Sequence, residues 1–586
     1  MKKRASYFYK VTAMLLCMAA LVGMLSACAE AETEEPEEEE LELSESVSGQ
    51  LLTAGNMDDN VFSLTVDYDE KLNPITSKSA LNQMVDNLVY DNLFEVDDNF
   101  NLSSRILSDW YMSDTGVWVL TVKEGIPMHD GSMMTAEDVV YSISRVFTQG
   151  ATYYQKRLGT VYSSAYQGVI YVSGDYVNAM LPYRLVVPII KAGQILEETP
   201  VGSGPYMYSE DHTYLEKFDS YEGAELLPVN KIYLQPYSDS ETLITQYENG
   251  LVDLVVNDKT SIYNMGYGGK NETRTFNTTN FHYIGFNKES DFFCYEQYRY
   301  ALTWIINRDR IASDVLDGAF VGSAIPIHPN SPVFNSSINA DLSYNPTRCL
   351  QELEKLGCRD LDADGMLEFA LSGSKVEIDI QFLVCADSAS KVLAARRIAQ
   401  DMEAIGIPVT MKELSWMEYK AALRDKEFDM YYAETEITPD WNILALFETL
   451  PDDENVTNLN YGHWEEEALE DAHYAFLAAT DENVAPMRDA YLQMLATTSV
   501  ILPIGFEKQE VLSRLGIITG MHPNPHNVFR GFTEWNINLD SERDPSDIPA
   551  PTEAPETEET AEEAAEAPAE EAAEAPAETA DSAPTE

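Results

Sequence analysis

The segment from Trp118 to Arg145 reads WVLTVKEGIPMHDGSMMTAEDVVYSISR. Its beginning, within the apolar run 117–122, predicts a buried strand that ends in a turn at 123–125. Thr135, with Asp138 three residues later, has the pattern of a helix N-cap. The apolar residues that follow recur at helical spacing: Val139, Ile143, Val146 and Phe147. The segment therefore predicts a strand, a turn and an amphipathic helix in direct succession.

Strand and helix patterns alternate irregularly along the rest of the chain. A second helix is predicted from about Tyr298, with Leu302, Ile305 and Ile306 on one side. A third is predicted from about Ala389 to Gly406, and a strand follows it at 407–411. No internal repeat is visible, and the region between about Leu51 and Leu539 is too long for one ordinary core. We therefore expect a mixed α/β protein of two or three packed lobes.

The chain is strongly acidic. It has 99 Asp and Glu residues against 38 Lys and Arg, a formal net charge of −61 at pH 7. Such a charge repels nucleic acid and anionic headgroups, so neither is an expected partner. Much of the excess lies in residues 28–47 and 541–586, which have too little apolar content to form a core. These two segments are predicted to be a disordered tether and a disordered Pro/Glu/Ala tail.

The N-terminus has the pattern of a secretory signal. Basic residues at 2–4 precede an apolar run from Val11 to Leu25. The run ends in Leu-Ser-Ala-Cys28, which resembles a bacterial lipobox. That resemblance implies a signal peptide at 1–27, a lipid-modified Cys28 and attachment to the extracellular face of the cell membrane. The acidic ends point to a Gram-positive surface.

The remaining cysteines and the metal-like patterns give weak signals. Outside the signal and the lipobox, four cysteines remain: Cys294, Cys349, Cys358 and Cys385. A Cys349–Cys358 disulfide and two buried thiols are open alternatives. The run Asp360-Leu-Asp362-Ala-Asp364-Gly opens like a calcium loop, but Leu371 stands where the loop needs a glutamate. His522 and His526 have ligand-like spacing without a third ligand nearby. No metal and no cofactor are predicted.

The segment 118–145 closely resembles the signature of the large extracellular solute-binding proteins that serve dipeptide, oligopeptide and nickel ABC transporters. Further stretches follow in that family's order: Leu72-Asn-Pro74, Leu88-Val-Tyr-Asp-Asn-Leu93, Pro200-Val-Gly-Ser-Gly-Pro-Tyr206, Tyr283-Ile-Gly-Phe-Asn287, Arg299-Tyr-Ala-Leu-Thr-Trp-Ile-Ile-Asn-Arg308, Ile405-Gly-Ile-Pro-Val409, Phe428-Asp-Met430 and Ile501-Leu-Pro-Ile504. Together they cover nearly all of the chain between its acidic ends. The resemblance implies a periplasmic-binding-protein-like clamp of three lobes, with the ligand buried between lobes I and III.

The resemblance also implies where each lobe begins and ends. The first lobe is expected in three parts, at 48–90, 191–282 and 501–540. The second lobe is expected at 91–190 and the third at 283–500.

In the peptide-binding branch of that family, an aspartate before an aromatic residue binds the ligand's α-amino group. Asp440-Trp441 matches this position, although Pro439 replaces the usual alanine and the preceding strand lies slightly farther away. Glu434 and Glu436 are the alternative partners of the ammonium.

Other positions match ligand-lining residues of the family. Trp416 matches a pocket tryptophan, and the alternative is packing at the start of a helix. Tyr431 and Tyr432 are expected as further pocket walls, together with Trp441. Lys78-Ser79-Ala80 matches the strand edge that pairs with bound peptide.

No nucleophile elbow, zinc-protease motif or phosphate-binding loop is present, so an enzyme is not expected. The resemblance implies a lipid-anchored monomer that captures oligopeptides or dipeptides and passes them to the membrane subunits of an ABC permease. Alternatives are a nickel or metal-chelate binder, a binder of glycan-derived solutes and a peptide-sensing receptor.

Overall fold

Two long neighbouring strands, Asn271–Phe286 and Ile501–Arg514, organise the structure. It is a computed structural model that describes residues 62–259, 266–371, 374–449 and 459–538. The expected signal peptide, Cys28, the tether and the acidic tail all lie outside these described residues. All described residues belong to one compact unit.

The strands, in chain order, are β1 (Ser63–Val66), β2 (Glu95–Val96), β3 (Leu102–Ser103), β4 (Leu107–Met112), β5 (Trp118–Val122), β6 (Val161–Tyr166), β7 (Val169–Gly174), β8 (Tyr206–Tyr208), β9 (Tyr214–Lys217), β10 (Lys231–Pro236), β11 (Leu254–Asn257), β12 (Asn271–Phe286), β13 (Phe320–Gly322), β14 (Glu368–Leu371), β15 (Ser374–Glu377), β16 (Ile380–Cys385), β17 (Val409–Leu414), β18 (Met430–Glu436), β19 (Ile501–Arg514), β20 (Ile518–Thr519) and β21 (Asn536–Ile537).

The α-helices are Ala80–Asp86, Ala136–Gln149, Thr152–Leu158, Ser240–Glu248, Glu296–Ala301, Arg308–Arg310, Ser336–Asp341, Pro346–Lys355, Ala389–Glu403, Trp416–Arg424, Glu467–Leu477 and Val484–Thr498. A π-helical turn, Ile311–Val315, continues the helix Arg308–Arg310. Short 3-10 turns lie at Leu181–Arg184, Ala224–Leu226, Leu302–Trp304, Leu444–Leu446 and Phe532–Glu534.

Three larger sheets carry these elements. One four-stranded sheet has the order β1-β10-β9-β8, and a second has the order β4-β5-β7-β6. The third sheet has seven strands in the order β11-β19-β12-β18-β16-β17, with β13 also paired to β19. Parallel and antiparallel pairs occur together, because β16 runs parallel to both β17 and β18 while β12 runs antiparallel to β18 and β19. The class is α/β, as predicted.

β12 and β19, called the crossing strands below, connect two halves of the seven-stranded sheet. At one end β19 pairs with β12 and with β11, and at the other end β12 pairs with β18 as well as with β19. The register between the crossing strands shifts between Asn277 and Phe281, and again between His282 and Tyr283. The expected lobe boundaries, 282/283 and 500/501, fall within β12 and at the start of β19. The lobe limits themselves stay a prediction.

The strand-turn-helix prediction for 118–145 is confirmed. Thr135 and Asp138 form a reciprocal capping box at the start of the helix Ala136–Gln149. Val139, Ile143 and Val146 are buried against β6 and β7, and Phe147, also within the helix, is 38% exposed. Phe147 therefore lies at the edge of the face that the sheet covers.

Two large apolar cores support the sheets. One gathers residues of the crossing strands, β16, β18 and the helices between Glu296 and Thr498. The other joins β1, β10, the signature segment and the region near Phe529–Trp535. Of the open alternatives for the cysteines, Cys349 and Cys358 are both buried free thiols. Within the described part of the chain, no helix has the length and apolar character needed to cross a bilayer.

Candidate ligand-binding site

A cavity of about 830 Å³ lies where the crossing strands lose register. One wall is made by β12 at Phe276 and Thr278–Asn280 and by Glu436 at the end of β18. The facing wall comes from the segment 78–87, the helix Thr152–Leu158 and the loop 525–528. Distant parts of the chain therefore meet around one opening.

Residues 278–280 of β12 leave the regular pairing with β19, but other hydrogen bonds hold them in place. Thr278 Oγ1 donates a hydrogen bond of 2.8 Å to the carbonyl oxygen of Glu507, and Asn280 N donates to Thr278 Oγ1 at 3.1 Å. The carbonyl oxygen of Thr279 accepts from Ile437 N at 3.0 Å. Asn280 lies opposite Glu436 in the register between β12 and β18. Side-chain and backbone hydrogen bonds thus replace the missing ladder and hold polar groups at the cavity.

Charges of both signs line the cavity. Arg157 Nε lies 3.8 Å from Glu436 Oε1, and Arg157 Nη2 donates to His526 Nδ1 at 2.8 Å. Burial, reinforced by Arg157 nearby, lowers the pKa of His526 well below its ordinary value, so the ring is neutral and accepts this bond. Lys78 also lines the cavity. A ligand that carries both an ammonium and a carboxylate would find an opposite charge for each.

The expected peptide-pairing segment Lys78-Ser79-Ala80 lies at this cavity. Lys78 and Ala80 belong to its lining, and Ser79 caps the helix Ala80–Asp86 with an extended backbone. The carbonyl oxygen of Ser79 accepts from Gln83 N at 3.1 Å, so it is already used by the helix. The segment lies at the cavity, and its pairing with peptide stays a prediction.

Asp440 is fully buried and is not among the residues that line the cavity. Its Oδ2 accepts from Asn178 Nδ2 at 3.1 Å, and its Oδ1 accepts from the Thr438 hydroxyl and from Asn442 N. The carboxylate therefore already has hydrogen-bond partners in this conformation. Its role as the ammonium partner stays a prediction.

The two expected tryptophans occupy different environments. Trp441 is 1% exposed, has a φ of 60° and packs edge-on against Phe100, while its Nε1 donates to Ser331 Oγ at 3.1 Å. Trp416 is 51% exposed at the start of the helix Trp416–Arg424, where it stacks on Tyr419. Neither lines the cavity. Trp416 lies at the start of a helix, and its role as a pocket wall stays a prediction.

Tyr432 and Glu434 lie on β18 beside His282 of β12. The hydroxyl of Tyr432 is 2.7 Å from His282 Nδ1, and Glu434 Oε2 is 3.2 Å from His282 Nε2. Burial alone would raise the pKa of Glu434, but His282 and Lys391 outweigh it and lower that pKa to about 2. Tyr431 points into the apolar core on the other face, edge-on to Tyr283. Neither tyrosine nor Glu434 is part of the cavity lining.

Sequence reasoning missed Arg157 and Asn280. Arg157 belongs to a helix of seven residues, which is too short for an apolar period to reveal which side chains face a ligand. Asn280 faces the cavity because β12 is irregular there, and no local pattern announces such a bulge. The sequence pattern indicates His526 only as a metal-ligand candidate together with His522, whereas in the structure His526 accepts a hydrogen bond from Arg157.

The sequence resembles those of known bacterial proteins. The profile of the bacterial extracellular solute-binding proteins, family 5 Middle, matches residues 101–448. The oligopeptide-binding protein AppA of Bacillus subtilis is 26% identical over 381 residues, which cover 59% of this chain and 67% of AppA. Heme-binding protein A of Haemophilus influenzae is 22% identical over 403 residues, which cover 60% of this chain and 69% of that protein.

A solved structure resembles the whole described fold. The structure of B. subtilis AppA in complex with a nonapeptide aligns with a TM-score of 0.53 at 19% identity, covering 82% of this chain and 98% of AppA. At this identity the likeness concerns the fold alone.

Proposed function

The chain belongs to the bacterial extracellular solute-binding proteins of family 5, and on that premise we propose that it captures oligopeptides outside the cell for an ABC permease. The family consists of solute-binding proteins, not of enzymes, and its fold is a multi-lobed clamp. We further propose that Cys28 carries the lipid that attaches the protein to the outer face of the membrane. Two or more acyl chains at that cysteine would make the attachment durable.

The cavity at the crossing strands is the observation that carries the peptide proposal. Its volume of about 830 Å³ lies within the range of roughly 300–1,000 Å³ typical of small-ligand sites. Its wall contains the polar residues Thr278–Asn280 together with charges of both signs at Arg157 and Glu436. A peptide needs this combination, because its backbone requires hydrogen bonds and its two ends require opposite charges.

We assign the ligand's ammonium to Glu436 and its carboxylate to Arg157. Without ligand, Arg157 Nε lies 3.8 Å from Glu436 Oε1, whereas an extended pentapeptide spans up to roughly 17 Å. Binding therefore requires the two side chains to separate, so that each exchanges a weak, partly exposed ion pair for one end of the peptide. Asp440 remains the alternative for the ammonium, and it would have to exchange the amide of Asn178 for the ligand. A binding experiment with free and acetylated peptide distinguishes Glu436 from Asp440 as the partner of the ammonium.

The test measures binding of pentaalanine with a free and with an N-acetylated amino terminus by calorimetry, using the full chain. Glu436→Gln should weaken binding of the free-amine peptide by roughly tenfold or more and leave the acetylated peptide nearly unchanged, because only the free amine carries the charge. Glu482→Gln, an exposed loop variant, is the matched control and should change neither.

Two results would redirect the proposal. A selective loss in Asp440→Asn alone would move the ammonium to Asp440. Native mass spectra that contain no peptide but one sharp addition, heavier than a bare metal ion and lost to a chelator, would favour a metal chelate as ligand, and would refute the oligopeptide proposal if pentaalanine also failed to bind.

A further inference from the structure

Three potential metal ligands meet on neighbouring strands behind the cavity wall. His282 of β12 is paired in register with Glu434 of β18, and Glu507 lies on β19 at the other side of β12. His282 and Glu507 are each only 1% exposed. Phe320 covers the imidazole with its ring centroid 5.2 Å away. The side chain of Glu434 is 31% exposed, so the group is partly open to solvent on that side.

Each of the three side chains has one atom held by a neighbouring residue. His282 Nδ1 lies 2.7 Å from the Tyr432 hydroxyl. Asn280 Nδ2 donates to Glu507 Oε2, and Lys391 Nζ donates to Glu434 Oε1. Outer hydrogen bonds of this kind fix the orientation of the side chains that bind metals in proteins.

The other atom of each side chain points to a common place. His282 Nε2 is 2.7 Å from Glu507 Oε1 and 3.2 Å from Glu434 Oε2, and one ligand atom from each residue lies within 4.8 Å of the others. Glu434 Oε2 is buried and makes no hydrogen bond. A single imidazole nitrogen has either one proton or one lone pair, so it serves one carboxylate well and leaves the second without a partner.

We propose that His282, Glu434 and Glu507 bind one divalent transition-metal ion, for which Zn²⁺ is the probe. One imidazole nitrogen and two carboxylate oxygens suit zinc, which commonly takes three protein ligands and a water. The divalent ion, neutral His282, the two carboxylates and the partly exposed Lys391 together have a net charge of +1. A proton on His282 is the competing occupant.

The ion would join three strands next to the ligand cavity. Asn280, which orients Glu507, itself lines the cavity, and Glu436 follows Glu434 by two residues on the same strand. The metal would therefore hold the irregular part of β12 against β18 and β19. This inference is independent of the peptide proposal, because it depends only on residues behind the cavity wall.

The experiment uses the full chain, stripped with a chelator and titrated with Zn²⁺ alone. We expect one strongly bound zinc per chain, an X-ray absorption spectrum with one imidazole nitrogen and oxygen ligands but no sulfur, and a higher unfolding temperature with zinc. Glu434→Gln and His282→Gln should each weaken zinc binding by about a hundredfold.

Asp362→Asn is the matched control, because it alters the exposed group Asp360, Asp362 and Asp364, whose carboxylates also lie close together. It should leave the strong zinc site unchanged. Circular dichroism of both glutamine variants without metal checks that they fold, and if either does not, the absorption spectrum of the unaltered chain carries the test. No strong zinc binding, sulfur in the spectrum, or a loss in Asp362→Asn but not in Glu434→Gln would overturn the proposal.

Discussion

At the residue scale, Arg157 contacts two other residues that line the cavity. It donates to His526, lies 3.8 Å from Glu436 and lines the cavity. Because the His526 ring stays neutral, it supports the guanidinium without repelling it. Arginine also matches a carboxylate with two parallel N–H groups, which lysine cannot do.

Replacing this arginine tests the proposed carboxylate site. Arg157→Gln should weaken binding of pentaalanine by about tenfold or more and leave its C-terminal amide nearly unaffected, because the amide has no charge to pair. Calorimetry on both peptides measures the difference. Lys156→Gln, the exposed neighbour in the same short helix, is the control. Equal losses for the acid and the amide would show that Arg157 does not bind the peptide's end.

At the element scale, the crossing strands combine regular pairing with irregular register. Gly505 of β19 lies opposite His282 and has a φ of +153°. A Cβ there would meet the carbonyl oxygen of Val321 at 2.1 Å, because β13 packs closely on this side. Glycine therefore lets three strands approach one another where the proposed metal ligands meet.

Gly505→Ala should lower the free energy of unfolding by about 3 kcal/mol or more, since backbone strain and a clash with rigid backbone act together. Gly318→Ala is the matched control: its φ is +74°, but nothing lies within 4 Å of the added Cβ, so only about 1 kcal/mol is expected. Calorimetric unfolding of both variants measures the difference. Similar losses would contradict the close approach of β13 and β19.

At the scale of the whole molecule, stability depends on histidines that are buried without charge. Burial lowers the pKa of His473 to about 3, and the same cause lowers the pKa of His328 to about 3. Below the ordinary value of 6.5 the unfolded chain takes up protons that the folded chain cannot bind. The free energy of unfolding therefore falls as the pH decreases from 6.5 toward 3.

His473→Gln should reduce this acid sensitivity. At pH 5 the protonation of His473 in the unfolded state lowers the free energy of unfolding by roughly 2 kcal/mol. The variant should therefore lose about 2 kcal/mol less than the unaltered chain when the pH falls from 7.5 to 5. Urea unfolding at both pH values measures it. His522→Gln, at an exposed histidine, should leave the loss unchanged. An equal effect in both variants would disprove the assignment.

The sequence by itself was sufficient for the α/β class, the capped helix after the signature strand and the family. These depend on short-range patterns: the alternation of apolar residues, a Thr-to-Asp cap and motifs in a fixed order. Lys78 and Ala80 of the predicted peptide-pairing segment line the cavity, and their contact with ligand stays a prediction.

Only the folded chain shows which carboxylate faces the cavity. Glu436 and Asp440 are four residues apart, yet one lines the cavity and the other is buried beside Asn178, because the chain turns after β18. His282 meets Tyr432 and Glu507 across 150 and 225 residues, through the register of three strands. Side-chain direction in a sheet reverses with a shift of one residue, so strand register and bulges, which no local pattern encodes, determine these sites.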